Sequence, residues 1–421
     1  MNKKISVNVI TFLAIPLGIF CGFINVPLLL NFANSITELF LKAFKLIGAP
    51  IVFFSLSSCI TGMKGFDEIK HIGKKIITYT FSTTLIASFV ALILFLLIRP
   101  ISPIHSNIVE VEPTQHLSTY LSFLFQIIPD NLLSPFINNN IISVAFLGAI
   151  IGLATLHLPE KNKKSLHLLF SSIFSLILKI TEYLIYLMPL AIWAFSMTFS
   201  TEILSGKAEI THLALYAICV LGSNLLQGFL ILPLFLKWKK LSPLKIAKGM
   251  YPALLTAFFS KSSNTALPIA IKCAEKNLKI TPKVAKVTFP MCSVINMNGC
   301  ASFMLTTVLF VSTSNGISFS PLDLVIWVFL ATFAAIGNAG VPMGCYFLSS
   351  AFLVGMGVPL HILGLILPLY AIFDMVETAL NVWSDSTIAA AVEQDLLQEQ
   401  AKVVCAEDKK DEQMNPVESC S

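Results

Sequence analysis

The chain has 421 residues, of which 56% are hydrophobic and 12% are charged, and its formal net charge is +5. Soluble domains average about 25% charged residues, so this composition excludes an ordinary soluble protein and favours one that crosses a membrane many times. The basic residues cluster in short segments between apolar stretches, which argues against nucleic acid as a partner and for a lipid bilayer.

Apolar stretches long enough to cross about 30 Å of hydrocarbon recur along the chain. We predict spans near residues 8–30, 36–62, 76–98, 119–128 continuing at 141–157, 168–200, 213–236, 284–314, 323–358 and 362–392. Many spans follow the first one, so it is predicted to be a transmembrane helix and not a cleaved signal peptide.

Lysines mark the segments that the positive-inside rule places in the cytoplasm. They precede the first span and follow the second, fourth and sixth spans, as Lys3, Lys4, Lys64, Lys70, Lys74, Lys75, Lys161, Lys163, Lys164, Lys237, Lys239, Lys240, Lys245 and Lys248. Segments 99–118 and 201–211 carry acids and few bases, as outside loops do. We therefore predict a multi-pass protein of the cell (inner or plasma) membrane with both termini cytoplasmic.

Residues 249–271 do not resemble a simple span. They are apolar at both ends, read FFSKSSNTALP in the middle, and have lysines on both flanks. We predict that this segment enters and leaves the membrane on the cytoplasmic side, as a re-entrant hairpin that turns in the polar centre containing Pro268.

Residues 323–358 are too long for one span, and AAIGNAGVPMGC interrupts them. Gly337, Gly340, Pro342 and Gly344 favour a second helical hairpin at this break. Two broken segments in one half of a chain indicate a transporter site near the bilayer midplane, whereas two ordinary kinked spans are the alternative.

Asn296, Asn298 and Gly299 interrupt the apolar span between the two predicted hairpins. An unwound turn there would free carbonyl oxygens which, with amide side chains, suit a dehydrated alkali cation. Hydrogen bonds between helices are the alternative role for buried asparagines.

The last span carries a row of polar residues. Asp374, Thr378, Asn381 and Asp385 fall on one stripe of a helix, and Glu377 lies on its shoulder. Each acid costs about 2.5–3.5 kcal/mol at the centre of a membrane, so the row needs neutralisation.

No Lys or Arg occurs between Val287 and Asp385. Since the segment holds no cation of its own, the simplest partners for its acids are a metal cation and the ammonium group of a substrate. This pattern predicts cation-coupled uptake of an amine-bearing solute.

Four motifs in order, SKSSNTALP, NMNG, GNAGVP and DMVETALNVWSD, resemble those of the dicarboxylate/amino acid:cation symporters, the glutamate-transporter-like family. The resemblance implies an all-α integral membrane protein with eight transmembrane helices, two re-entrant hairpins, and scaffold and transport domains. It also implies a homotrimer that works by elevator-type alternating access. Residues 1–248 would hold six helices, 249–393 the transport core, and 394–421 a disordered cytoplasmic tail.

The resemblance also implies site residues. Those matching the substrate site are Ser262, Ser263, Asp374, Glu377, Thr378, Asn381, Gly340 and Val341. Those matching one sodium site are Asn296, Asn381 and Asp385 with backbone oxygens near Cys292. A second sodium site matches backbone oxygens of Val294, Met297, Ala335, Ile336 and Asn338, and a third matches Thr83, Thr84 and Asn298.

Two departures from the family pattern bear on the substrate and the ions. Glu377 stands where members that carry acidic substrates have Arg, and an acid there repels a carboxylate. ETALN resembles instead the serine/threonine:sodium branch, so a small neutral amino acid is favoured over the alternative, sodium- or proton-coupled transport of a dicarboxylate or acidic amino acid. Asn298 replaces an Asp, which removes a charge from the third sodium site.

Other classes of protein are less well supported. Lys261 beside Ser262 and Ser263 would suit a Ser–Lys hydrolase, but adjacent residues point to different faces and no oxyanion-hole motif accompanies them. No phosphate-binding loop is present, so we predict neither an enzyme nor an ATP-driven pump, and no organic cofactor. A channel would conduct without substrate, and the paired hairpins argue against it. The nine cysteines are scattered, which predicts neither a disulfide framework nor a zinc site.

Overall fold

The computed structural model describes residues 7–62, 66–100, 128–137, 141–204, 210–336, 338 and 343–414. All regular elements within these residues are helices. Those of the first half are α1 (Val7–Ile24), α2 (Pro27–Thr61), α3 (Phe66–Ile98), α4 (Ser134–Ile137), α5 (Ile141–Leu156), α6 (Glu160–Leu204), α7 (Ile210–Leu226) and, after a π-helical turn at Gln227–Ile231, α8 (Leu232–Trp238). Those of the second half are α9 (Pro243–Ser260), α10 (Ser263–Asn277), α11 (Pro282–Ile295), α12 (Asn298–Ser314), α13 (Pro321–Ile336), α14 (Gly344–Gly355) and α15 (His361–Met414).

Five stretches of the described helices are long and apolar enough to cross a bilayer. They are Ile72–Ile98, Glu160–Leu184, Ile210–Trp238, Pro282–Ser314 and His361–Glu399. The predicted all-helical integral membrane protein is confirmed at this level. The count of eight spans and two hairpins, and the division into domains, stay predictions.

The first two helices meet earlier than the apolar pattern predicts. The predicted gap lies at residues 31–35, whereas α1 ends at Ile24 and α2 begins at Pro27. Asn25 between them has a positive φ of 51°. Proline is well suited to the first turn of a helix, because its missing N–H needs no partner there. In the predicted fourth span, residues 119–127 lie outside the described residues, and α5 covers most of 141–157.

The helices α9 and α10 form an antiparallel hairpin. Lys261, in the left-handed conformation with φ 53° and ψ 33°, ends α9, and the extended Ser262 precedes α10. At the other end, Asn277 Nδ2 donates a hydrogen bond of 2.7 Å to the carbonyl oxygen of Gly249. The start of α9 and the end of α10 therefore lie side by side, as predicted for a hairpin.

The turn of this hairpin lies at its Lys261–Ser262 link, and Pro268 lies inside α10. Ser262 Oγ accepts a hydrogen bond of 3.3 Å from the N–H of Thr265, which caps the new helix. The left-handed residue followed by a serine cap decides where the break falls, and the proline is accommodated within the helix.

The second predicted break lies between α13 and α14. Gly337, Gly340 and Pro342 lie outside the described residues, whereas Gly344 begins α14 directly after Met343, which has a φ of 60°. Both helices pack against α12. The ring of Trp327 on α13 lies 5.5 Å from that of Phe352 on α14.

The helix α12 lies at the centre of the second half, and all of its residues except Thr313 are buried. Asn296 and Met297 between these helices have non-helical backbone angles, so the predicted unwound turn is present. A Cβ atom on Gly299 would lie 2.8 Å from Glu377 Cα. The missing side chain therefore allows α12 to approach α15 closely.

The prediction of disorder from residue 394 is wrong as far as Met414, because α15 continues to that residue. Asp395 accepts hydrogen bonds from Lys239 Nζ at 2.9 and 3.0 Å and another from the hydroxyl group of Tyr79. Lys75 Nζ donates to Glu399 at 2.7 Å. These contacts hold the polar end of α15 against α3 and the residue after α8.

Candidate functional site

A small cavity lies where the α9–α10 and α11–α12 breaks meet the start of α14 and the middle of α15. It is lined by Lys261, Ser263, Met297, Cys300, Asn338, Cys345, Asp374, Glu377, Thr378 and Asn381. The structure thus brings together residues from every motif that the sequence analysis singled out.

The side chain of Asp374 is buried and lines the cavity. Tyr370 Oη donates to Asp374 Oδ1 at 3.4 Å, and Thr378 Oγ1 donates to the backbone oxygen of Asp374 at 2.6 Å. The backbone N–H of Met343, directly before α14, also donates to this carboxylate, so α15 and the start of α14 position it together. A buried carboxylate in this position suits an incoming ammonium group.

Glu377 is 1% exposed, and no N–H or O–H group of the described residues donates to either of its carboxylate oxygens. The Cys345 thiol, a weak donor, lies against this carboxylate. A buried acceptor without a strong donor costs about 1–3 kcal/mol, and more when it is charged. A ligand that brings donors into the cavity would recover this free energy.

Lys261 corrects the expectation that the acids of α15 have no protein cation near them. It lies outside the lysine-free segment, directly after α9, and lines the same cavity as Asp374 and Glu377. The left-handed backbone of this residue ends the helix at the cavity. The cavity therefore holds one ammonium group and two carboxyl groups.

A second polar cluster lies beside the cavity around the α11–α12 break. Asn296 Nδ2 donates to Asp385 Oδ1 at 2.8 Å, and Asn296 Oδ1 accepts from Ser384 at 3.2 Å. Asn298 Nδ2 donates to Ser384 Oγ at 2.8 Å, while Asn298 Oδ1 accepts from Thr84 at 2.8 Å. These oxygen-rich side chains connect α3, the unwound turn and α15.

The residues of the predicted stripe on α15 are therefore divided between the cavity and the second polar cluster. Asp374, Thr378 and Asn381 line the cavity with Glu377, whereas Asp385 is bonded to Asn296 in the second cluster. Asn381 lies at the boundary, since its Oδ1 accepts a hydrogen bond of 2.9 Å from the N–H of Gly299 in the first turn of α12.

The remaining predicted cation ligands are distributed around these two places. The Cys292 carbonyl oxygen accepts a hydrogen bond of 2.8 Å from the N–H of Asn296. Val294 packs against both of the large clusters of buried apolar side chains in the described residues. The hydroxyl group of Thr83 donates to the carbonyl oxygen of Thr80 at 3.2 Å, and its own carbonyl oxygen accepts from Gln227 Nε2 at 3.1 Å in the π-helical turn. The hydroxyl group that bonds to Asn298 is that of Thr84.

The predicted ligands near the second break are partly described. Ala335 and Ile336 end α13, and the Ala335 carbonyl oxygen accepts the N–H of Asn338 at 3.1 Å. Gly340 and Val341 lie outside the described residues. Ser262 caps α10 and is absent from the cavity lining, whereas Ser263 is part of it.

Sequence reasoning missed Lys261, Cys300 and Cys345 as cavity residues. The place of Lys261 directly before the serine-rich tip is the one local signal for it, and that signal suits a hydrolase as well as a cavity residue. Nothing in the spacing of the two cysteines indicates that they meet.

Comparison with known proteins agrees with this arrangement. Residues 7–395 match the sodium:dicarboxylate symporter family. The chain is 27% identical, over 91% of its length and 81% of the relative, to glt-3 of Caenorhabditis elegans, which is named as a sodium-dependent excitatory amino acid transporter. It is 29% identical to glt-4 of the same organism, over 64% of this chain and 54% of that protein, so this match spans about half of the relative.

A further relative is the neutral amino acid transporter B(0) of Mus musculus, which is 23% identical over 83% of this chain and 72% of that protein. The family consists of membrane transporters and not of enzymes. The match over nearly the whole described chain, together with the broken helices that meet at one polar cavity, shows that this chain belongs to the sodium:dicarboxylate symporter family.

Proposed function

We propose that the chain is a sodium-coupled symporter of a small neutral amino acid, with serine or threonine as the first candidates. The observation that carries this proposal is Glu377, a buried carboxylate whose oxygens receive no N–H or O–H donor from the described residues. A substrate with an ammonium group and a hydroxyl group supplies such donors next to Asp374 and Glu377.

The charges of the cavity support a neutral substrate. Formally, Asp374 and Glu377 outnumber Lys261 by one, so a zwitterion adds no net charge, whereas an acidic amino acid adds a further negative charge. Charge repulsion in a buried site disfavours the second case. The relatives named for neutral and for excitatory amino acids show that both substrate classes occur among similar proteins.

Sodium is proposed as cargo at the second polar cluster. Asp385, the carbonyl oxygens around the unwound turn and the amide oxygens of Asn296 and Asn298 are hard oxygen ligands next to a buried negative charge. Since Asn298 is neutral, we expect fewer sodium ions per cycle than with an acid in its place.

Labelled serine uptake into proteoliposomes tests this proposal. Uptake should appear with an inward sodium gradient and disappear when choline replaces sodium. Uptake that is indifferent to sodium contradicts the coupling, and better competition by lysine or arginine than by threonine makes Glu377 a selector for cationic amino acids.

A second candidate function is transport of an acidic amino acid or dicarboxylate, and Lys261 favours it because its ammonium group could pair with a substrate carboxylate. Competition by aspartate and succinate in the same assay separates the two candidates. Stronger competition by these anions than by threonine would replace the neutral substrate with an acidic one.

The proposed architecture comprises eight transmembrane helices, two re-entrant hairpins, and a transport domain that moves against a scaffold in each subunit of a homotrimer. Support comes from the α9–α10 hairpin and the break after α13. We place the protein in the plasma or inner membrane of the cell. Both termini and the first hairpin would face the cytoplasm.

A cysteine introduced at the exposed Asn264 tests this placement. We expect a membrane-impermeant thiol reagent to label it from the cytoplasmic side in at least one state of the cycle. Labelling from the outside alone, in every state, contradicts the proposed topology.

A further inference from the structure

Two cysteines and a carboxylate meet on one side of the cavity. Cys300 lies at the start of α12, Cys345 at the start of α14 and Glu377 on α15, and all three are buried. One ligand atom from each, two sulfurs and a carboxylate oxygen, lie within 4.8 Å of one another. Three separate elements thus supply metal-ligating atoms to one point.

Amide groups donate to both sulfur atoms. Asn338 Nδ2 donates to Cys300 Sγ at 3.1 Å and to Cys345 Sγ at 3.4 Å, and Asn381 Nδ2 donates to Cys300 Sγ at 3.4 Å. The Asn381 amide can donate in this direction because its oxygen accepts the Gly299 N–H. N–H groups directed at sulfur stabilise the thiolate, which is the form that binds metal, and such outer contacts orient metal ligands.

The carboxylate completes this set of donor atoms. Glu377 is 1% exposed, and its oxygens receive no N–H or O–H donor from the described residues. The Cys345 thiol donates to this carboxylate, and a metal ion that displaces that proton would have both groups as ligands. Two sulfurs with one oxygen favour a borderline-soft divalent cation over sodium, which prefers an all-oxygen shell. The site therefore differs in chemistry from the oxygen-rich cluster around Asp385.

We propose that Cys300, Cys345 and Glu377 form a binding site for a divalent cation of the zinc class. Tetrahedral zinc, with bonds of about 2.3 Å to sulfur, places its sulfur ligands about 3.8 Å apart, so small side-chain rotations close this cluster. On binding, both thiols release their protons to solvent. Lys261 in the same cavity offsets the negative charge that the thiolates and the carboxylate leave around the ion.

A bound ion would tie the start of α14 to α12 and α15 and would occupy Glu377. This blocks the cavity and holds the helix that follows the second break. Inhibition of transport rests on the proposed symport function, whereas binding of the ion does not.

Zinc binding to the purified full-length protein, kept reduced in detergent, tests the site. We expect about one zinc ion per chain. Cobalt in place of zinc should show the charge-transfer absorption of a cobalt–thiolate bond. Cys300→Ser and Cys345→Ser should each remove this absorption and weaken zinc binding by more than the roughly 10–100-fold that loss of an outer contact causes.

Cys219→Ser is the matched control, because Cys219 is buried but lies outside the cluster. It should bind zinc and cobalt as the wild type does. Absence of binding by the wild type, or unchanged affinity in both Cys300→Ser and Cys345→Ser, overturns the proposal. If a serine variant aggregates, a second measurement takes its place: zinc should slow the modification of Cys300 and Cys345 by a maleimide in the wild type. Modification of these two thiols that zinc does not slow overturns the proposal.

Uptake measurements then test inhibition. Zinc should inhibit the wild type and Cys219→Ser, a chelator should restore uptake, and Cys300→Ser should resist zinc relative to its own rate without zinc. Inhibition that persists in Cys300→Ser contradicts the site as its cause. If neither the wild type nor any variant transports serine, the proposed function fails. The binding measurements still decide whether the metal site exists.

Discussion

Asp374 and Glu377 lie less than one turn apart on α15, yet their surroundings differ. Asp374 accepts a hydrogen bond from Tyr370, whereas Glu377 receives no N–H or O–H donor from the described residues. We therefore propose that Asp374 binds the ammonium group of a substrate and that Glu377 faces the variable part of the substrate.

Asp374→Asn is expected to abolish sodium-driven serine uptake, because the substitution removes the charge that holds the ammonium group. A buried hydrogen bond to a charged group contributes about 1.5–3 kcal/mol, which corresponds to roughly 10–150-fold in affinity. Labelled serine uptake at several substrate concentrations measures this. Thr256→Ala on α9, whose exposed hydroxyl bonds only within its own helix, is a control that should retain uptake. Normal uptake by Asp374→Asn would contradict the assignment.

Glu377→Arg is expected to weaken serine uptake and to introduce competition by aspartate, because the cavity gains a partner for a side-chain carboxylate. Unlabelled aspartate and threonine in the uptake assay measure the change. Glu377→Gln is the matched control, since it removes the charge without adding a cation and should not bring in aspartate. Aspartate competition that is equal in the wild type and in Glu377→Arg would show that Glu377 does not select the substrate.

At the scale of the elements, the close contact of α12 with α15 creates the cavity. Gly299 lies where a Cβ atom would be 2.8 Å from Glu377 Cα and 3.1 Å from its carbonyl oxygen. These atoms belong to the backbone of α15, so they cannot move away without shifting the whole helix. The glycine therefore determines the distance between the unwound turn and the acids.

Gly299→Ala is expected to destabilise the protein by about 1–3 kcal/mol through overpacking and to reduce uptake strongly. Thermal unfolding in detergent and serine uptake measure the two effects. Gly73→Ala on α3 is the matched control, because an added Cβ atom there meets nothing within 4 Å. Gly73→Ala should be neutral or stabilise by about 0.5–1 kcal/mol. Equal unfolding temperatures in the two variants would contradict the role of Gly299.

At the scale of the whole molecule, α15 runs from the cavity to an ionic cluster at its far end. Lys239 and Asp395 form an ion pair of 2.9 Å in which the two side chains are 14% and 13% exposed. Lys239 also donates to Tyr79 at 2.5 Å, so the pair joins α15 to α3 and to the residue after α8. This cluster links parts of the chain that are far apart in sequence.

Asp395→Asn is expected to lower the free energy of unfolding by about 1–3 kcal/mol, because it leaves the half-buried Lys239 without its charged partner. Glu399→Gln is the control and should have a smaller effect, since Glu399 is 44% exposed in its pair with Lys75. Thermal unfolding of both variants measures the difference. An equal effect of both would show that the Lys239 pair contributes no more than a surface pair.

The effect of pH on this contact has a defined sign. Burial by itself lowers the pKa of Lys239, but hydrogen bonds to Tyr79 and Asp395 outweigh it and raise that pKa above its ordinary value. The contribution of Lys239 is therefore complete below about pH 10.4, the ordinary lysine pKa, and is lost only as the pH rises through the raised one. The free energy that charged Lys239 contributes should therefore not change around neutral pH. Unfolding of the wild type and of Asp395→Asn at several pH values would measure it.

Periodicity and composition determined much of this protein before any contact was known. Apolar length determined the membrane class, and the helical spacing of Asp374, Thr378, Asn381 and Asp385 determined that they share one face of α15. The first break falls at Lys261 and Ser262, whereas Pro268 lies inside α10. Glycine and proline predicted the break between α13 and α14, because these residues act on the local backbone. Asn296 at the unwound turn was predictable for the same local reason.

Only the tertiary structure decided what these elements bring together. Lys261 at the hairpin turn lines the same cavity as the acids of α15, and Cys300 and Cys345 meet through the packing of α14 on α12. Asp395 anchors the polar part of α15 through its hydrogen bonds to Lys239. Each depends on contacts between residues far apart in the chain, and no local pattern encodes such contacts. The physical reason is that sequence spacing determines which face of a helix a residue occupies, whereas the packing of helices determines what that face meets.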